Sequence, residues 1–212
     1  QNASGAEREV SMKGLESVSR ETLAKLQVYA DILIKWNPKI NLVAKSTISD
    51  LWDRHIVDSL QIMRHIPESA QHIVDIGSGG GFPGLVLAIA SAEAHPKSSI
   101  TLIESDQRKS AFLRTVLRET GVSATVLTER IEKAPAQSAD VLTARALADL
   151  SMLLEFADQH LKKEGTAFFL KGKNWRTELQ KAQEVWQFDY EEVTSETNVE
   201  AVLLVIKGIE RV

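Results

Sequence analysis

The stretch Ile73-Val-Asp-Ile-Gly-Ser-Gly-Gly-Gly-Phe-Pro-Gly84 decides the fold, because a short apolar run leads into an acid, a glycine cluster and a helix start. The run from Ile73 to Ile76 is rich in β-branched residues and too short for a helix, so it predicts a buried strand. The glycines allow a sharp turn and leave no side chain between backbone and ligand. Pro83 suits the first turn of a helix. This order of strand, glycine turn and helix is typical of a loop that binds a nucleotide cofactor.

Two cofactors are compatible with these glycines. The run Gly79-Gly-Gly-Phe-Pro-Gly84 matches the dinucleotide fingerprint G-x-G-x-x-G. Asp75 followed by glycines at 77, 79 and 81 instead resembles the first motif of S-adenosylmethionine (SAM) methyltransferases, whose loop holds the amino acid end of SAM. A carboxylate there suits an α-ammonium group and repels a pyrophosphate. We expect SAM to contact Asp75, Gly77, Gly79 and Gly81; NAD is the alternative, and a loop without a ligand is the purely structural one.

Length and composition limit the classes of protein to which the chain can belong. The chain of 212 residues is long enough for one large domain, or for a domain with an extension. It contains neither an apolar run near eighteen residues nor a secretory leader, so we expect a cytoplasmic protein without a membrane span. The absence of cysteine excludes disulfides, thiolate metal sites and a thiol nucleophile. We expect no metal, and a monomer, because no sustained apolar surface pattern is visible.

The order of apolar patterns predicts an α/β fold. Apolar residues at helical spacing predict an amphipathic helix over residues 16–36 that Pro38 ends, followed by a second helical region over 50–63. Strands are predicted at 73–76, 99–104, 124–128, 140–144 and 166–171, with a helix over 147–161 that Gly165 terminates. Strands that alternate with helices imply a parallel sheet. Two final strands are predicted at 188–194 and 201–207, and the short connection between them indicates an antiparallel pair at the sheet edge.

We therefore predict a Rossmann-like, mostly parallel sheet flanked by helices, with an antiparallel C-terminal hairpin and an N-terminal helical extension. Residues 1–15 are expected to be a tag remnant or a disordered start. Residues 16–66 are expected to form the helical extension, and residues 67–212 the cofactor-binding domain.

Several charged residues follow the predicted strands. Glu104 ends the second strand, where an acid can accept both ribose hydroxyls of NAD or SAM. Arg145 and Lys171 end two later strands, where α/β sheets place their substrates, and two cations there suit an anionic or carbonyl-bearing substrate. Arg108 and Lys109 open a helix, where cations oppose the helix dipole and suit phosphate contacts.

The group Arg54, His55 and Asp58 lies on the second helical region. Its spacing alone favours a solvated or self-paired helix face. The net charge of −4 argues against nucleic-acid binding through general basicity, but it leaves room for a local basic surface.

Several motifs together resemble the bacterial glucose-inhibited division protein B family, also called RsmG. They are Asp75 to Gly84, Arg54-His-Ile-Val-Asp-Ser-Leu60, Trp36-Asn with Asn41-Leu42, Glu104 with Arg108-Lys109 and Phe112-Leu113, and Arg145-Ala146. The likeness spans residues 26–173. It implies SAM-dependent methylation of N-7 of one guanine in small-subunit ribosomal RNA, with the rRNA or a ribosomal particle as partner. It also implies that Gly77, Phe82, Ile131, Glu132 and Arg145 line the cofactor.

Methylation at guanine N-7 requires little from the protein. This nitrogen carries an in-plane lone pair and no hydrogen, so no general base is needed and the main task is positioning. We expect Arg145 or Lys171 to donate a hydrogen bond near guanine O-6 as the catalytic contact. The phosphates are expected to meet basic residues around the site: Arg54, His55, Arg108, Lys109, Lys171 and Lys173.

Two other functions remain open at this point. An NAD-dependent oxidoreductase would need a substrate domain, and the chain beyond Lys171 is short for one. A SAM-binding assembly protein that contacts RNA without methyl transfer has the same sequence signals.

Overall fold

The computed structural model describes residues 14–195 and 197–212. One seven-stranded sheet has the order β3-β2-β1-β4-β5-β7-β6. Its strands are β1 (His72–Ile76), β2 (Ser99–Ile103), β3 (Thr125–Leu127), β4 (Ala139–Arg145), β5 (Leu161–Lys171), β6 (Trp186–Thr194) and β7 (Val202–Arg211). The first five strands are parallel, whereas β7 is antiparallel to β5 and to β6. The predicted fold class, with its antiparallel C-terminal hairpin, is confirmed.

Helices cover both faces of the sheet. They are α1 (Arg20–Ile40), α2 (Asp58–Leu60), α3 (Gly84–Ala94), α4 (Gln107–Thr120), α5 (Leu150–His160) and α6 (Trp175–Ala182). Neighbouring strand residues point to opposite faces, so Phe168 contributes to the apolar cluster with α1, α3 and α4, and Phe169 to the cluster with α5 and α6. No helix within residues 14–195 and 197–212 combines the length and apolarity needed to span a bilayer.

The segment between α1 and β1 is helical but irregular. It contains 3₁₀ helices at Lys45–Asp50 and Gln61–His65 and a π-helical turn at Trp52–Val57, with the short α2 between them. Such π turns are rare and are frequently found at functional sites.

The N-terminal helical region shares its core with the sheet. Leu26, Tyr29 and Leu33 are buried in the same apolar cluster as Leu85 of α3 and Phe112 of α4. The division into an extension at 16–66 and a domain at 67–212 stays a prediction, and residues 1–13 of the predicted disordered start lie outside the described part.

Two predicted helix ends are wrong. Pro38 does not end α1, because a proline near the C-terminus removes only one backbone donor. The last turn is closed by a 2.9 Å bond from the Asn41 N–H to the Asn37 carbonyl. Gly165 does not terminate α5, which ends at His160. The glycine lies in β5, where a Cβ would come within 3.0 Å of the Ala139 carbonyl oxygen, so it permits close approach to β4.

Candidate active site

The glycine loop after β1 has a conformation that side chains would prevent. Gly77, Gly79 and Gly81 all have positive φ angles, of 62°, 52° and 91°. A Cβ at Gly81 would also lie 2.7 Å from the Tyr29 hydroxyl oxygen. The loop leads into α3, whose first residue is Gly84. The predicted order of strand, glycine turn and helix is therefore present.

A cleft of about 610 Å³ opens beside this loop, at the carboxyl ends of β1, β2 and β4. Such a position is where open α/β sheets bind their ligands. Seven of the predicted cofactor residues line the cleft: Gly77, Gly79, Phe82, Glu104, Ile131, Glu132 and Arg145. Asp75 and Gly81, the remaining two, are buried and are not among its lining residues.

Asp75 lies beneath the glycine loop. Its Oδ1 accepts a 2.7 Å bond from the Thr143 hydroxyl, whereas its buried Oδ2 has no hydrogen-bond partner among the described residues. That oxygen faces the start of α3, where a Cβ at Gly84 would come within 2.3 Å of it. Burial raises the pKa of this carboxyl to about 7. Asp75 thus supports the loop from below, and the predicted direct contact with an α-ammonium stays a prediction.

Glu104 holds the loop from the neighbouring strand. Its Oε2 accepts a 2.7 Å bond from the Gly79 N–H, and its Oε1 accepts a 2.8 Å bond from the Asp106 N–H. A carboxylate has about four acceptor positions, so it can also bind ligand hydroxyls. Because Glu104 both lines the cleft and fixes Gly79, it joins the loop to the predicted ribose position.

Arg145, at the end of β4, stands between two cavities. It lines the cofactor cleft and also a second cavity of about 390 Å³, together with His55, Thr47 and Ala146. Its Nη2 donates a 3.1 Å bond to the carbonyl of Arg54, in the π-helical turn. Its Nη1 is buried and has no protein partner within residues 14–195 and 197–212. An unpartnered buried donor is costly, so this N–H is suited to a ligand acceptor.

His55 is a buried, neutral member of the wall between the cavities. Its ring stacks on Phe82 with centroids 4.9 Å apart, and its Nε2 lies 2.9 Å from the Thr47 hydroxyl. Burial lowers its pKa to about 3, with further contributions from the guanidinium groups of Arg145 and Arg54. The solvated helix face favoured for this group therefore does not describe His55 or Asp58, which are both buried. A neutral ring supplies no charge for the predicted phosphate contact.

The ammonium group of Lys171 already has partners within the protein. Its ammonium pairs with Glu178 Oε2 at 2.5 Å and donates a 2.9 Å bond to the Ala148 carbonyl. The side chain, only 9% exposed, borders the second cavity but is not among the residues of the cofactor cleft. These two bonds leave one of its three donors for a ligand.

The other predicted RNA-binding residues surround the openings. Lys109 lines the cofactor cleft and Arg54 lines the second cavity. Arg108 is exposed and pairs with Asp106 at 3.3 Å. Lys173 is exposed just after β5 and is outside both linings. In the described part of the chain, the structure holds no cluster of three or more residues that could bind a metal.

Tyr29 of α1 is a site residue that sequence reasoning missed. Its hydroxyl donates a 2.5 Å bond to the Gly80 carbonyl, and its ring lies 5.2 Å from that of Phe82. Asn37 acts nearby, because its Oδ1 accepts bonds of 2.7 and 2.9 Å from the N–H groups of Leu42 and Val43, which line the cleft. Periodicity marks Tyr29 as a core residue of the helix, and nothing local reveals the loop it meets.

Replacing Tyr29 with phenylalanine tests this support. The change leaves the Gly80 carbonyl without its donor in a buried place, so we expect a loss of about 1–3 kcal/mol in the free energy of unfolding. Because the same loop lines the cleft, we also expect weaker cofactor binding, measured by calorimetry. Tyr190→Phe, at a surface position, is the matched control. Equal effects of the two changes would contradict a supporting role for the Tyr29 hydroxyl.

Comparison with known proteins places the chain in a family. A family model described as rRNA small subunit methyltransferase G, GidB, matches residues 22–204. The protein of that name from Ruegeria pomeroyi is 54% identical over 196 residues, which cover 92% of this chain and 96% of the relative. The one from Rhodospirillum centenum is 50% identical over 193 residues, which cover 91% and 87%.

Solved structures agree in fold. A SAM-dependent methyltransferase from Aquifex aeolicus superposes with a TM-score of 0.58 at 13% identity, covering 85% of this chain and 97% of that one. A variant of MtNAS in complex with S-adenosylmethionine gives a TM-score of 0.57 at 14% identity, covering 88% and 76%. The solved structures support the fold, and the sequence matches fix the family: this chain belongs to the GidB family of rRNA small subunit methyltransferases G.

Proposed function

We propose that the protein transfers a methyl group from SAM to N-7 of one guanine in small-subunit (16S) ribosomal RNA. The observation that carries this proposal is the pair of adjoining cavities with Arg145 in their common wall. A methyltransferase needs two adjoining cavities, because the leaving group, the methyl carbon and the accepting atom must be aligned. Family membership supports the reaction class and the rRNA substrate. It does not favour the NAD-dependent oxidoreductase or the assembly protein without methyl transfer.

The cofactor cleft has the chemistry that SAM needs. The glycine loop leaves Gly77 and Gly79 open to the amino acid end of the ligand, with Phe82 beside them. Glu104 offers free acceptor positions to ribose hydroxyls. Ile131 and Glu132 border the remaining part, where the apolar side chain of Phe156 also contributes. These residues would hold SAM, and after the reaction S-adenosylhomocysteine.

The chemistry then depends on placement. SAM supplies an activated methyl group on a sulfonium. The lone pair of guanine N-7 forms the new bond to carbon, the electrons of the broken carbon–sulfur bond stay on sulfur, and the positive charge moves to the purine ring. No proton leaves N-7, so no side chain has to act as a base. A rigid pair of cavities that aligns the reacting atoms can account for a large share of the rate.

Arg145 is our candidate for the contact with guanine O-6. Its unpartnered Nη1 supplies the donor, and its bond to the Arg54 carbonyl fixes the guanidinium. Lys171 stabilises the wall of the second cavity. Its bonds to Glu178 and to the Ala148 carbonyl connect the end of β5 to α6 and to the segment after β4. We keep Arg54, Arg108, Lys109 and Lys173 as phosphate contacts, and we assign His55 a neutral stacking role.

A transfer assay tests the proposed function. The protein is incubated with methyl-labelled SAM and small-subunit particles, and the modified base is then mapped in the rRNA. We expect label on N-7 of a single guanine. Binding of SAM in calorimetry without transfer to particles or to free rRNA would favour the assembly role, and tight NAD binding without SAM binding would contradict the proposal.

Lys109 provides a test of the RNA surface. Lys109→Ala removes a cation at the mouth of the cleft, so we expect weaker RNA binding and a salt dependence reduced by about one phosphate contact. Lys163→Ala is the control, because Lys163 is exposed near the opposite end of β5. Binding is measured by fluorescence anisotropy at several salt concentrations. A salt slope that both variants change equally would show that net charge alone sets RNA affinity.

We also propose that the protein acts as a monomer in the cytoplasm, where its ribosomal substrate is made. Light scattering after size-exclusion chromatography tests the monomer, and a mass of twice the chain would contradict it.

A further inference from the structure

Charged side chains of both signs line the second cavity: Arg54, Asp58, Arg145, Lys171 and Glu178. Arg145 borders it on the side of the cofactor cleft, and the carboxylate of Asp58 borders it from α2. Asp58 is only 6% exposed, although it is an acid. Its charge raises the pKa of the Arg145 guanidinium and so opposes the effect of burial, which means that the two groups act on each other across the cavity.

The protein holds Asp58 through one of its two oxygens. Oδ1 accepts bonds of 2.7 Å from the Ser195 hydroxyl and 3.2 Å from the Gln61 amide, with the Thr197 hydroxyl at 3.4 Å. These bonds all go to Oδ1. Ser195 and Thr197 belong to the segment between β6 and β7, which thus fixes the carboxylate while Oδ2 remains able to accept bonds from a ligand.

The resulting pattern is a hydrogen-bond acceptor and a hydrogen-bond donor that border the same cavity. The buried carboxylate of Asp58 accepts hydrogen bonds, and the unpartnered Nη1 of Arg145 donates one. Guanine has the complementary pattern, since its N1–H and 2-amino group are donors and its O-6 is an acceptor. Adenine has no N1–H and carries an amino group in place of O-6, so it would leave both protein groups unpaired.

We propose that Asp58 is the residue that selects guanine, by accepting hydrogen bonds from N1–H and the 2-amino group of the base. This inference rests on the proposed function, and it names a second contact on the same edge of the base, next to the O-6 assigned to Arg145. The carboxylate has a second effect. Methylation puts a positive charge on the purine ring, and an anion at N1–H stabilises this charge as it develops.

The volume and placement of the cavity agree with this role. Its size of about 390 Å³ falls within the range of small-molecule sites. The cavity shares Thr47, His55, Arg145 and Ala146 with the cofactor cleft, so a base held there lies next to the methyl donor. Ala146 has a positive φ of 48°, a strained conformation for alanine, and such strain is concentrated at functional positions.

The first experiment changes the base and leaves the protein intact. Small-subunit particles are reconstituted with the target guanosine, or with inosine at the same position. Inosine keeps N-7, O-6 and N1–H and lacks only the 2-amino group. We expect inosine to lower kcat/KM of the wild type by about 10- to 100-fold, the usual effect of leaving one buried polar group without its partner. Equal rates on the two particles would overturn the proposal.

The second experiment combines the base change with Asp58→Asn, which keeps the size of the side chain and removes its charge. We expect a loss of about 100-fold on the guanosine particle and a smaller loss on the inosine particle, because inosine keeps only the N1–H contact with the carboxylate. Ser195→Ala is the matched control. It removes a bond to Oδ1 and keeps the carboxylate, so the preference for guanosine should persist. A variant Asp58→Asn that keeps the full preference would assign Asp58 a structural role only.

Two readouts separate this inference from the proposed function. Failure of the wild type to methylate the guanosine particle would contradict the proposed function itself. Binding of S-adenosylhomocysteine to Asp58→Asn, measured by calorimetry, should stay within about threefold of the wild type, because Asp58 does not line the cofactor cleft. If that variant fails to fold, equal rates of the wild type on the guanosine and inosine particles would still overturn the proposal.

Discussion

Replacing Arg145 with alanine is expected to lower methyl transfer by about 100- to 1,000-fold, the usual effect of removing one preorganised donor from an active site. Arg145 lines both cavities, and its buried Nη1 has no protein partner in the described chain. The change also removes the bond to the Arg54 carbonyl, so we expect the free energy of unfolding to fall by about 1–3 kcal/mol. Single-turnover rates with bound SAM and chemical denaturation measure the two effects.

Arg114→Ala is the matched control for this change. Arg114 also donates a guanidinium bond to a backbone carbonyl, that of Val126, at 2.9 Å, but it lies on the exposed side of α4 and outside both cavities. The Arg114→Ala variant should lose stability without a comparable loss of methyl transfer. If the activity of Arg145→Ala fell only in proportion to the fraction of unfolded protein, the guanidinium would have a structural role.

The second large effect concerns Asp75 and pH. Burial raises the pKa of this carboxyl from 3.8 to about 7. The folded protein therefore holds a proton that the unfolded chain releases, and stability falls as pH rises between these two values. The free-energy cost of ionising Asp75 in the folded protein is absent below about pH 4 and is complete above about pH 7. From the two pKa values, stability should fall by about 2–3 kcal/mol between pH 5 and pH 8 because of this group.

Asp75→Asn isolates this contribution, because the amide does not titrate. We expect the difference in unfolding free energy between wild type and variant to change by that amount from pH 5 to pH 8, measured by urea denaturation. Asp31→Asn, on the exposed side of α1, is the control for the same substitution outside the core. A constant difference between wild type and Asp75→Asn would mean that the carboxyl titrates alike in both states.

Features within one short segment were predictable from sequence. The strand from Ile73, the positive-φ glycines and the helix after Pro83 follow from local steric rules, and the parallel sheet follows from alternating elements. Errors arose where a local rule competed with neighbours. Asn37 and Asn41 let α1 continue past Pro38, and Gly165 is explained by the close approach of β5 to Ala139.

The remaining site features depend on contacts between distant residues. Tyr29 meets Gly80, and Asp58 meets Ser195, so no window of sequence contains either pair. Burial likewise decides the chemistry of His55, whose position on a helix predicts a solvated face while its packing against Phe82 makes it neutral. Motif resemblance identified the residues of the cleft, but their directions and partners required the tertiary structure.

The bond between Tyr29 and the glycine loop also concerns synthesis of the chain. Helix α1 precedes α3 and α4 in the chain, so the rings of Phe82 and Phe112 that pack beside Tyr29 are translated later. Until Phe82, α3 and α4 have emerged, the apolar side of α1 lacks part of its native partners, and a chaperone can protect such exposed surface. The bond between the Tyr29 hydroxyl and the Gly80 carbonyl can thus form only after the glycine loop itself has been made.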